Sequence, residues 1–87
     1  MSEKADIEEF TALASRFIEL ANKMKEEGKP VQMVNAALMS ASATYGTYIY
    51  AGNEGYLKPS GVKKLVDTYS DQVENIQKIK KQATEQG

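Results

Sequence analysis

Apolar residues recur along this chain at alternating steps of three and four, in three blocks. The first block is Ile7, Phe10, Ala14, Phe17, Ala21 and Met24. The second is Val31, Val34, Leu38, Ala41, Tyr45 and Tyr48, and the third is Val62, Val66, Tyr69, Val73 and Ile76. That spacing lines up one face of an α-helix. Leu13, Leu20 and Ile18 widen the first stripe, and Leu65 and Ile79 flank the third. No alternating pattern of strand type survives beside them.

The punctuation predicts helices over about 6–27, 30–51 and 60–84. Asp6 with Glu9 three residues on has the form of a capping box. Gly28 suits the position just past a helix end, and Pro30 suits the start of the next. Gly52 can close the second helix. The stretch NEGYLKPSG then reads as the one substantial loop, with Ser60 the expected cap of the third helix. A very short first connection makes helices 1 and 2 antiparallel neighbours. The pattern predicts one all-α domain over residues 1–87, an up-down-up three-helix bundle.

The outer faces differ. Opposite its stripe, helix 1 carries Glu8, Glu9, Arg16, Glu19, Lys23 and Glu26, and helix 3 carries Lys63, Lys64, Asp67, Asp71, Glu74, Lys78 and Lys81. Those are ordinary solvated faces. From Pro30 to Asn53 there is no charged residue at all. A membrane span is rejected, because Gln32 and Asn35 would be costly in lipid and most of the segment is Ala, Ser, Thr, Tyr and Gly. The face opposite the stripe of helix 2 carries Met33, Ala36, Met39, Ser40, Ala43, Gly46, Thr47 and Tyr50. An uncharged face of small residues with Met and Tyr is expected to be covered, and the simplest cover is a second copy of the chain. Self-association through helix 2 is therefore expected, or an adaptor role with another protein in that place. The alternative is a carrier of a small apolar ligand or lipid, using space beside Ala37, Ala41 and Gly46.

Composition narrows the chemistry. The 87 residues hold 11 basic and 12 acidic side chains, a formal net charge of -1. A nucleic-acid binder normally shows a basic excess, so none is expected as a partner. With no Cys and no His, disulfides, zinc sites of the usual ligand types, Cys nucleophiles and Ser-His-Asp triads are excluded within the chain. No metal and no cofactor are expected. The opening MSEKADIEEF has neither a basic nor an apolar run of secretory type. That and the missing Cys fit a cytoplasmic location.

Two segments carry a resemblance. ASRFIELANKM, from Ala14 to Met24, and VNAALMSASATYGTYIYA, from Val34 to Ala51, are similar to segments of a family of small bacterial proteins known only as domain of unknown function 3144. The matching residues are Ala14, Arg16, Phe17, Ile18, Leu20, Ala21 and Asn22, then Ala36, Ala37, Leu38, Ala41, Ala43 and Tyr45. The likeness covers roughly the first 50 residues; its motifs are mostly helix packing, and it supplies no activity to carry over.

The remaining candidates are weaker than their structural explanations. Arg16 and Asn22 sit between hydrophobes on helix 1, where an ion pair or polar contact accounts for them. Tyr45 and Tyr69 fall on core stripes, while Tyr48, Tyr50 and Tyr56 cluster near the loop and suit an interface. Lys58, Ser60, Gly61, Lys63 and Lys64 form a possible anion contact at a helix start, without the phosphate-loop pattern. An ordinary capped helix with solvated lysines explains them as well. Asp67, Asp71 and Glu74 share a solvated face with no partner of catalytic type. A non-catalytic protein is expected.

Overall fold

A computed structural model describes residues 2–86 of the chain, and the side chains of residues 2–85. Among the described residues the order is α1 (Glu3–Glu26), α2 (Val31–Ala51), a single 3-10 turn (Gly52–Glu54) and α3 (Pro59–Gln86), with no strand. The architecture is all-α with three helices. Its breaks fall at the two Gly/Pro boundaries that the sequence marks.

The helix starts differ from expectation. Ser2, not Asp6, caps α1: its hydroxyl accepts from the Ala5 N–H at 3.1 Å, and its backbone is extended. Glu3, Lys4 and Ala5 favour the helix, so it runs back to the earliest residue that can satisfy the free N–H groups. Asp6 then lies within the first turn, its N–H donating to the Ser2 carbonyl at 3.2 Å, and its carboxylate complements the helix dipole. Ser2→Ala should cost the start of α1 about 1 kcal/mol, and Asp6→Ala less than that. Amide exchange at Ala5 and Asp6 reads the difference; a larger loss from Asp6→Ala would return the cap to Asp6.

The α1 end follows its sequence signal closely. The Lys29 N–H donates to the Met24 carbonyl at 3.2 Å and the Gly28 N–H to Lys25 at 3.0 Å, which together form a Schellman motif. Gly28 has φ +95, a conformation that penalises a Cβ. At α3 the expected cap, Ser60, lies inside the first turn. The Lys58 carbonyl accepts from Gly61 and Val62 at 2.9 and 3.0 Å, which puts Pro59 at the first helical position. Its fixed φ and missing N–H suit that place.

The chain divides into two compact units, Met1–Ala41 and Ser42–Gly87, with the boundary inside α2. In the first unit Ala14 and Ala21 of α1 and Val34 of α2 are half-buried. Both alanines lie on the expected stripe, where small side chains let a neighbouring helix approach. In the second unit Gly46, Thr47, Ala51, Leu57, Gly61 and Leu65 are half-buried. The isobutyl group of Leu65 lies against the bare backbone of Gly46: a Cβ there would stand 2.7 Å from Leu65 Cδ1 and 3.1 Å from Cδ2.

This second packing corrects an expectation about α2. The stripe was to continue inward through Tyr45, yet Tyr45 is 71% exposed, and Tyr48 on the same stripe, expected at an interface, is 67% exposed. Gly46, expected on the outward face, is the residue that α3 covers. Two tyrosine rings hold a helix away, whereas glycine lets leucine come close. Neither unit contains a buried residue among those described.

Candidate functional site

Among the described residues two apolar helix faces stand open. On α1 the seam residues Ile7, Phe10 and Phe17 are exposed by more than half their surface, up to 63% at Phe17. Beside them a shallow, open groove of about 540 Å³ lies along the helix, lined by Leu13, Arg16, Phe17, Glu19, Leu20 and Lys23. On α3 the seam residues Val62, Val66, Tyr69, Val73 and Ile76 are between 39% and 59% exposed. Tyr69, expected in the core, is thus at the surface. Both faces were legible as stripes. That they stay uncovered was not, because periodicity marks a face without saying what lies on it.

The expected interaction face of α2 splits between the units. In the first, Met33, Ala36, Met39 and Ser40 are exposed, and the Asn35 amide donates to the Met39 sulfur at 3.8 Å. In the second, Ala43 and Tyr50 are exposed while Gly46 and Thr47 are half-covered. The Thr47 hydroxyl donates to the Ala43 carbonyl at 2.8 Å, a local bond that satisfies it within the helix. Tyr48 and Tyr56 stand well exposed. Arg16 borders the α1 groove, and Asn22 is exposed.

The lysine cluster is brought together only in part. Lys58, Ser60, Gly61 and Lys64 line a cleft of about 250 Å³ that also holds Tyr50, Tyr56 and Glu54. Glu54 supplies the wrong sign for an anion and stands 3.7 Å from the Lys58 ammonium. Lys63 is not among the lining residues; it pairs with Asp67 at 2.9 Å. The Gly61 N–H, expected to be free for an anion, is bonded to Lys58. These exposed pairs contribute little to stability. Among the described residues no three acids gather in a way that could hold a metal ion, and no helix is long and apolar enough to cross a membrane.

The chain matches, over residues 10–76, the family described as "Protein of unknown function (DUF3144)". The chain belongs to the DUF3144 family. Neither a curated protein nor a solved structure matches it. The DUF3144 match extends well past the two segments that carry the resemblance, through the loop and into α3. It begins at Phe10 and ends at Ile76, and both are seam residues. The DUF3144 region thus contains nearly all of both open faces and stops short of Lys78, Lys80 and Lys81.

Proposed function

We propose that this DUF3144 chain is a non-catalytic helical interaction module whose working form is a homodimer. The observation that supports this is energetic. Fully burying a large apolar side chain contributes about 1.5–3 kcal/mol, and ordering each residue costs a comparable amount. Neither unit buries a single described residue, while two seams of large apolar residues face water. Such a chain reaches ordinary stability once a partner covers those seams. A second copy is the simplest partner, since it is present wherever the chain is and one self-complementary surface suffices. The carrier alternative is less favoured: Leu65 occupies the space at Gly46, and neither cleft described above is lined by Ala37 or Ala41. The lack of cysteine supports a reducing, cytoplasmic setting.

Light scattering coupled to size exclusion at tens of micromolar should give twice the 9.6 kDa chain mass. The thermal midpoint should rise with protein concentration, as it does when folding and association are linked. A monomer with a concentration-independent midpoint would sink this reading.

A further inference from the structure

Resting on the homodimer reading, we infer that its interface is not the uncharged face of α2. It is α1 of one copy laid antiparallel on α3 of the other, repeated by the twofold axis. The argument begins with spacing. Stepping one position upstream, the α1 seam becomes Glu3, Ile7, Phe10, Ala14, Phe17, Ala21, with intervals 4,3,4,3,4. Stepping one position downstream and reading backwards, the α3 seam is Lys80, Ile76, Val73, Tyr69, Val66, Val62, also 4,3,4,3,4. Two seams with a strict seven-residue repeat are what knobs-into-holes packing requires.

Aligned this way, every layer is chemically consistent. Phe10 meets Val73 and Phe17 meets Val66, while Tyr69 falls opposite Ala14, so large residues face smaller ones. The two charged positions, Glu3 and Lys80, meet each other at the seam end. The parallel alignment that starts both seams together sets Glu3 against Val62 and Lys80 against Ala21, which leaves each charge on an apolar residue. The outlying charges agree. Residues 3–9 hold Glu3, Asp6, Glu8 and Glu9 against Lys4 alone, whereas residues 78–85 hold Lys78, Lys80 and Lys81 against Glu85. Antiparallel pairing brings the acidic end to the basic one, and helix dipoles oppose favourably.

The area suffices. A standard interface uses about 20–30 residues a side, and two six-layer seams with their flanking positions supply about two dozen. The large seam residues are free to take a partner, with Phe17, Val66 and Tyr69 all more than half exposed, while the small Ala14 and Ala21 between them are half-buried. The α2 face lacks that freedom at Gly46, where Leu65 already sits.

The absence of native cysteine makes the test clean. Chains carrying Ile7→Cys alone are mixed with chains carrying Ile76→Cys alone and oxidised mildly, so a mixed disulfide can form only between copies. The control mixture pairs Ile7→Cys with Val66→Cys, which the parallel alignment would favour. Circular dichroism first checks that each variant is folded. The mixed disulfide should form at least tenfold faster in the first mixture. As a second measure, Glu3→Lys or Lys80→Glu alone should weaken the dimer roughly two- to fivefold, and the two together should restore it. Equal or reversed disulfide rates, or no restoration, in a protein that scatters as a dimer overturn this interface and leave the homodimer standing. A monomeric wild-type chain overturns both.

Discussion

Replacing Phe17 with glutamate is expected to dissociate the protein and lower its helicity at micromolar concentration. The ring is 63% exposed in the single chain. If the single chain were the working form, a change at so exposed a site would shift stability by no more than about 0.5 kcal/mol. In the antiparallel seam Phe17 sits mid-helix against Val66 of the other copy. There the variant loses an aromatic anchor and places a carboxylate in an apolar layer, and the twofold axis makes it do so twice. The dimer should weaken by more than about a hundredfold, since each 1.4 kcal/mol is a factor of ten. Helicity should follow, because neither unit has buried residues to hold it together alone. Ser15→Glu serves as control: it lies on the exposed, polar side of α1 and should leave both association and the melting midpoint nearly unchanged. Sedimentation equilibrium and circular dichroism on the same samples decide the matter. A Phe17→Glu protein that still sediments as the wild type would remove α1 from the interface.

The second large effect is expected at Gly46. Gly46→Val should destabilise the second unit by about 1–3 kcal/mol through overpacking. The added methyls would drive into Leu65, whose Cγ already lies 3.5 Å from where a Cβ would stand. Gly46→Ala is the discriminating companion. Its Cβ would lie 2.7 Å from Leu65 Cδ1, the end of a flexible side chain that can turn aside. Replacing glycine within a helix meanwhile gains up to about 1 kcal/mol. The alanine variant should therefore come out within about 1 kcal/mol of wild type. Denaturant unfolding measures both. If valine were tolerated as well as alanine, Leu65 would not pack on α2 at Gly46, and the outward face would again be open along its length.

Much of the molecule could be read from local signals. The α1 stripe, the turn at Gly28 and the break around Gly52–Pro59 each rest on a few neighbouring residues, and each is where the pattern puts it. The errors share one cause, which is competition between acceptable local solutions. Ser2 and Asp6 can both cap, and the helix takes the earlier one because nothing between them resists it. Ser60 could cap α3, but Pro59 fixes the first helical position one residue before it. Tyr45 and Tyr48 continue a stripe, yet α2 is uncharged on every side, so its periodicity cannot choose which side is covered.

Helical identity, the stop at Gly28 and the heptad spacing of both seams are properties of short segments, because backbone hydrogen bonds, caps and the 3.6-residue turn act within a few residues of one another. Which face of α2 receives α3 is a property of two segments about 20 residues apart. It turns on the missing Cβ of Gly46 and the reach of Leu65, and a one-dimensional pattern contains neither distance. Exposure is likewise collective. Phe17 lies on the same stripe as Ala14, yet Ala14 is half-buried and Phe17 is not, because burial depends on what another helix brings to each position.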